Sequence, residues 1–380
     1  MPAQRILIVT DAWSPQTNGV VSTLTQTVQW LGRFGHAVDV VSPQGQASVP
    51  CPTYPEIRLT VRPNRTVRER LRDFDPHALH IATEGPLGFA ARSLARAQRR
   101  PFTTSYHTQF PQYLRKRFPI PLRWSCAAVR WFHAAAECCM VSTPTMESEL
   151  RAYGLHRFAR WRRGVDTELF RPRAKTLLDL PRPLAVYVGR VAVEKNVEAF
   201  LGMPWHGGRL VIGDGPELAR LKARYPQATY TGYLYGEALA AHLAAADVMV
   251  FPSRTDTFGL VNLEAMACGV PVAAYPVTGP IDVVQDGRTG ALDEDLARAA
   301  RRALEVDPAD CREFALTMGW EACTRQFEAN LAFAGRGVSA VPVSHATGVH
   351  VHEPVATVIP HAAALEGARE RREPLRIHTA

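Results

Sequence analysis

The sequence predicts an α/β protein of two doubly wound domains facing a central cleft, and three observations carry that prediction. Short apolar, β-branched runs alternate with helical periodicity from the N-terminus onward. The alternation breaks where Pro172, Pro181 and Pro183 punctuate the chain, then restarts at Leu184. The 380 residues also exceed what one ordinary hydrophobic core organises and suit two domains of comparable size.

In the first half, residues 5–10 read as a strand and residues 20–34 as a helix stopped by Gly35. Further strands are expected at residues 37–42, 78–82, 102–106 and 139–143, the last leading into a helix at 144–153. The first domain is placed at residues 1–165. In the second, 166–334, strands are expected at 184–189, 210–213, 247–251 and 270–275, with helices at 217–224, 237–245 and 260–267. Residues 335–380 mix Val, Pro, Ala and His without a periodic apolar face and read as a disordered tail. His350 and His352 lie there without evident partner ligands, so no metal site is assigned to them.

Hydrophobic residues at 46% and charged residues at 21% are ordinary for an enzyme and exclude a chain disordered throughout. No stretch approaches the roughly 18 apolar residues of a membrane span, and residues 6–9 are too short for a secretory signal, so a cytoplasmic location is expected. Seven cysteines, odd in number and without a CxxC pair, point to reduced thiols. The net charge of +8 implies an anionic partner: a phosphorylated substrate, a nucleic acid or a lipid surface.

In doubly wound sheets ligands bind beyond the carboxyl ends of strands, so those loops carry the chemistry. After residues 184–189 come Arg190 and Lys195, a planar donor fork and a point charge suited to a diphosphate. After residues 247–251 the stretch from Pro252 to Gly269 passes Asp256 and Gly259 into a helix. Its first amides, at Gly259, Leu260 and Val261, favour a phosphate, and Glu264 can turn back toward a ribose diol. Asp256 can accept from sugar hydroxyls or cap the helix.

The first domain contributes Gly19, in the loop after its first strand, and His107, Asp11 and Glu84 at or near strand ends. Asp11 and Glu84 are acceptor-side candidates, with helix capping the competing role for each. The acidic triplet Asp293, Glu294 and Asp295 resembles a metal-binding run but is read as the charged start of a helix, and no metal or other cofactor is expected.

Gly189-Arg190 with Lys195, the turn from Val211 to Pro216, Asp247-Val248, and Phe258-Gly259 through Glu264-Ala265-Met266-Ala267 occur in the order that marks retaining glycosyltransferases of family 4. The chain resembles that family, of GT-B fold with two Rossmann-like domains, from about residue 5 to 334. The resemblance implies that Arg190 and Lys195 bind the donor pyrophosphate and Glu264 the ribose, with Gly259, Leu260 and Val261 facing the donor. Gly213 and Tyr233 would wall the nucleotide, and His107 would contact the donor sugar. Asp256 stands where the family has Glu, one methylene longer. The resemblance also implies that the final helix, 320–331, packs back on the first domain.

The expected activity is therefore hexosyl transfer from a UDP- or GDP-sugar to an acceptor hydroxyl, with the acceptor read as a membrane glycolipid such as a diacylglycerol derivative. Transfer of mannose to a soluble or polysaccharide acceptor is the alternative. A non-catalytic sugar-nucleotide binder would be expected to lose a phosphate cation or Glu264, and a nucleic-acid binder would interleave its cations with exposed stacking aromatics. A peripheral membrane position is suggested by the run from Tyr113 to Trp124, with Arg115, Lys116 and Arg117, followed by Arg130, Trp131 and Phe132.

Overall fold

A computed structural model describes residues 2–16, 18–51, 54–107 and 121–333. The stretch from Tyr113 to Ile120 and the segment 335–380 lie outside the described residues. The first sheet contains β1 (Arg5–Val9), β2 (Ala37–Val41), β5 (Ala78–Ile81), β6 (Thr103–Ser105), β7 (Cys139–Val141) and β8 (Phe158–Arg160), in the order β2-β1-β5-β6-β7-β8. All its pairings are parallel.

The second sheet, also wholly parallel, contains β9 (Ala185–Val188), β10 (Arg209–Ile212), β11 (Thr229–Gly232), β12 (Val248–Phe251), β13 (Val272–Ala274) and β14 (Gly290–Leu292). Its order is β11-β10-β9-β12-β13-β14. In each sheet the first strand is central and the order reverses beside it. Helices cover both faces, so the central strands are apolar throughout: β1 reads RILIV and β12 reads VMVF, each with its apolar side chains almost wholly buried.

The strong strands fall where the sequence predicts them. Several elements carry no clear sequence signal. The antiparallel ribbon of β3 (Ser48–Cys51) and β4 (Tyr54–Thr60) holds two prolines. The edge strands β8, β11 and β14 are only three or four residues long, and β8 and β11 are interrupted by Arg and Thr. Helices Pro63–Phe74, Pro86–Ala97 and Leu122–His133 were likewise not among the sequence expectations.

The described residues belong to one compact unit running from Met1 to Ala340. The chain passes between the sheets twice, and the crossings lie side by side: Val165 donates its amide to Met318 at 2.8 Å and bridges to Gly319. The helix Trp320–Asn330 then returns to the first sheet. Trp320, Cys323 and Phe327 join Ile6, Ile8, Leu24, Leu31 and Trp161 in one buried cluster. His36 pairs with Glu328 at 3.0 Å and the Asn330 amide donates to the Arg160 carbonyl at 2.7 Å.

Two expectations are corrected here. The triplet Asp293, Glu294 and Asp295 directly follows strand β14 rather than only opening a helix. Asp293 pairs with Arg298, Glu294 with Arg254, and Asp295 caps Leu296–Ala303 through the Ala297 and Arg298 amides. Phe132 is not part of an exposed aromatic surface: it is 1% exposed and packs in the core of the first domain.

Candidate functional site

The order of each sheet decides where its loops gather. Beside β1 the chain turns one way to β2 and the other to β5, and beside β9 it turns to β10 and to β12, so each sheet splits its neighbouring loops at that point. Loops after β1 and β5 on one side, and after β9 and β12 on the other, line a cleft of about 1200 Å³. It receives Gly19, His107, Asp11 and Glu84 from the first domain, and Arg190, Lys195, Tyr233, Asp256, Gly259, Leu260, Val261 and Glu264 from the second. Gly213 is absent from the lining, although Ile212 and Asp214 on either side are present.

The role of Gly213 is steric. Its φ is +145°, and a Cβ there would stand 1.8 Å from the Gly189 carbonyl oxygen, so only glycine lets the turns after β9 and β10 approach. Tyr233 donates its hydroxyl to the Asp214 carbonyl at 3.0 Å and stacks with Tyr235 at 6.1 Å between centroids, giving this end of the cleft an aromatic wall.

At the neighbouring strand ends, Lys195 Nζ donates to both Asp256 carboxylate oxygens, at 2.7 and 2.9 Å. The two residues therefore form one unit, and Asp256 does not cap the helix. Helix Leu260–Ala267 starts from Gly259 at φ +81° with no side-chain cap, which directs its first amides and its positive dipole end toward the cleft. Glu264 stands one turn in. No described group donates to its carboxylate, and burial pushes its pKa up to about 7.

The first-domain wall is built from buried polar networks. Asp11 accepts from the Leu87 and Gly88 amides at 3.0 and 3.3 Å and from the Thr83 hydroxyl at 3.0 Å, so it caps helix Pro86–Ala97. Both of its oxygens are engaged, which favours the capping role over contact with an acceptor. Burial raises its pKa against those hydrogen bonds. Glu84 instead meets His133 Nε2 at 3.0 Å with part of its side chain exposed. Burial acts to lower the His133 pKa, but Cys139 and the Glu84 carboxylate reverse it and raise it, and the hydrogen bond orients Glu84.

His107 is engaged at both ring nitrogens. Arg163 Nη2 lies 3.0 Å from Nδ1 and Ser105 Oγ 2.8 Å from Nε2. Its carbonyl accepts from the Thr257 hydroxyl at 2.7 Å, which ties the two walls together. Burial, then the positive charge of Arg163, holds its pKa well below the ordinary imidazole value. Arg163, Ser105 and His133 were not anticipated from the sequence, because Arg162 and Arg163 look alike in it and only the fold buries one of them.

Comparison with known proteins agrees with this architecture. The model of Glycosyltransferase Family 4 matches residues 17–169, and that of Glycosyl transferases group 1 matches 182–306. A GDP-mannose-dependent alpha-mannosyltransferase of Mycobacterium tuberculosis is 35% identical over 316 residues, covering 76% of this chain and 83% of that protein. An alpha-monoglucosyldiacylglycerol synthase of Streptococcus pneumoniae is 27% identical over 357 residues, covering 82% and 81%. Among solved structures, a sucrose-phosphate synthase from Thermosynechococcus elongatus superposes with a TM-score of 0.68 at 24% identity, covering 86% of this chain and 97% of that one. The apposed doubly wound sheets, the cleft between them and the matched relatives together establish that the chain belongs to glycosyltransferase family 4, with the GT-B fold.

Proposed function

We propose that the enzyme transfers a hexosyl group, with retention of configuration, from a nucleotide diphosphate sugar to a hydroxyl of a membrane glycolipid. The observation that carries this reading is the convergence of Arg190, Lys195 and the uncapped start of helix Leu260–Ala267 on the switch point of the second sheet, with Glu264 beside them. Diphosphate charge grows as the C1–oxygen bond to the leaving group breaks, and Arg190 and the helix start line the cleft where it would be received, with Lys195 shared with Asp256. The acceptor oxygen bonds to C1 from the same face, and its proton passes to the departing phosphate oxygen. No protein base is then required, and the enzyme contributes positioning and charge stabilisation.

The names of the mannosyltransferase relatives support GDP-mannose as donor, and that of the diacylglycerol synthase supports a lipid acceptor. The apolar side chains of Ile57, Leu59 and Val20 on the acceptor side of the cleft suit an acceptor carrying hydrocarbon. Transfer to a soluble or polysaccharide acceptor is the second reading, and it shares the same donor site. The reading assigns diphosphate neutralisation to Arg190, Lys195 and the helix start, so no metal or other cofactor is required.

Arg190→Ala or Lys195→Ala is expected to lower kcat by about two to three orders of magnitude, the scale of losing one transition-state charge partner. Saturating chelator should leave the wild-type rate unchanged. Near-normal turnover in both variants, or a rate abolished by chelator and restored by magnesium, would overturn the assignment.

A further inference from the structure

We infer that Arg163 is a positioning residue that keeps His107 as a neutral imidazole with its hydrogen on Nε2, fixing how the ring is presented at the cleft that would hold the transferred sugar. The inference rests on the reading of His107 as a contact of the donor sugar. Arg163 follows β8, is 4% exposed and reaches the cleft lining. Its guanidinium packs over Trp161, with 4.6 Å to the ring centroid, and Nη1 donates to the Trp161 carbonyl at 2.9 Å. These contacts fix the direction in which Nη2 points.

A guanidinium has donors only, so the 3.0 Å contact with Nδ1 requires that nitrogen to be the acceptor. The imidazole hydrogen must then sit on Nε2 and donate to Ser105 Oγ at 2.8 Å. The Ser105 hydroxyl is in turn 3.1 Å from His80 Nε2, and His80 Nδ1 is 2.9 Å from Thr103 Oγ1. With Ser105 accepting from His107, its own hydrogen is left for His80 Nε2 or for the Ala82 carbonyl at 3.5 Å. One buried cation thus sets the His107 tautomer within the row Arg163, His107, Ser105, His80, Thr103.

Ser105 is fully buried, so the Nε2–H bond anchors the ring from inside the first domain while Arg163 holds its other nitrogen at the cleft. The charged and titratable groups around the ring are consistent with a neutral imidazole. Arg163 lies behind it, His80 on β5 is held down to about 3 by burial, and His133 on helix Leu122–His133 is bound to Glu84. Lys195 and Asp256, which also line the cleft, neutralise each other. Burial lowers the Arg163 pKa to about 10, which leaves it a cation at neutral pH.

The test uses long-range ¹⁵N correlation spectra of the full-length protein labelled at histidine, together with kcat against pH. In the wild type His107 should show an unprotonated Nδ1 and a protonated Nε2 unchanged from pH 5 to 8. Arg163→Met should lower kcat at least about tenfold, within the range of one lost orienting contact, with a smaller change in donor KM. It should also introduce loss of the Nδ1 acceptor signature and a dependence of kcat on pH that the wild type lacks. Arg163→Lys, which keeps one donor and the charge, should restore much of the rate and the signature. A wild-type His107 that titrates near 6.5 or carries its hydrogen on Nδ1 would overturn the inference even if Arg163→Met does not fold. So would a folded Arg163→Met with wild-type kcat and pH profile. Full activity in His107→Ala would instead remove the underlying reading of His107.

Discussion

Glu264 places an ionisable group with a displaced pKa beneath the proposed ribose site. Its folded pKa of about 7 lies above the unfolded carboxyl value, so the folded state binds the extra proton between the two. Stability from this group therefore falls as pH rises from about 4.5 to about 7 and is level on either side. A ribose diol donating to the carboxylate would favour the charged form and lower that pKa on binding. Nucleotide affinity should then weaken as pH falls below about 7, by up to about tenfold per unit, with proton release visible by calorimetry in buffers of different ionisation enthalpy. Glu264→Gln should bind more weakly at pH 8 and lose this component, and because the nucleotide's own phosphate titration is common to both proteins, their difference isolates the residue. Identical pH dependence in the two proteins would exclude the ribose contact.

Among the elements, helix Trp320–Asn330 shows how a segment distant in sequence completes the first domain. Its buried Trp320, Cys323 and Phe327, with Leu331 just beyond, pack against the opening strand, the helix Gly19–Arg33 and Trp161, which also touches His107 with 5.5 Å between ring centroids. Burying each large apolar side chain contributes about 1.5–3 kcal/mol, so losing this helix removes much of the ~5–15 kcal/mol that holds a typical domain. A chain ending at residue 315 is expected to be insoluble or to melt without cooperativity. One ending at Ala334 should melt within a few degrees of the full chain and keep its activity. Calorimetric or circular-dichroism melts of both truncations check this, and a soluble, active 315-residue chain would contradict it.

For the molecule as a whole, the net charge of +8 and one aromatic patch suggest how the cleft meets its acceptor. Trp124 is 64% exposed, Trp131 52% and Phe89 42%, with Phe89 and Trp131 6.1 Å apart and the exposed Arg123 against Trp124. Large amphipathic rings bordered by cations suit the headgroup boundary of an anionic bilayer. Among the described residues no helix is long and apolar enough to cross a membrane. The protein should sediment with anionic vesicles at low salt and release as salt rises. Replacing Arg115, Lys116 and Arg117 with Ser, or Trp124 with Ser, should weaken that binding. Indifference to anionic vesicles at low salt, with efficient glycosylation of a soluble acceptor, would exclude the membrane surface as partner.

The sequence by itself determined the fold class, the central strands and most of the residues that line the cleft. Those features are local: a fully buried parallel strand must be an apolar run, and a phosphate site needs glycine and cations where a strand ends. The edge strands β8, β11 and β14 and the β3–β4 ribbon were not legible, because short, partly exposed or irregular pairing places little demand on side-chain type. Only the tertiary structure decided that Asp11 caps a helix, that Lys195 and Asp256 form a pair, and that Phe132 is core. It also decided that Arg163, rather than its neighbour Arg162, is buried against His107. Each of these depends on which segments burial brings together across tens to hundreds of residues, and a charge or hydroxyl acquires its partner, its pKa and its tautomer only once that packing exists.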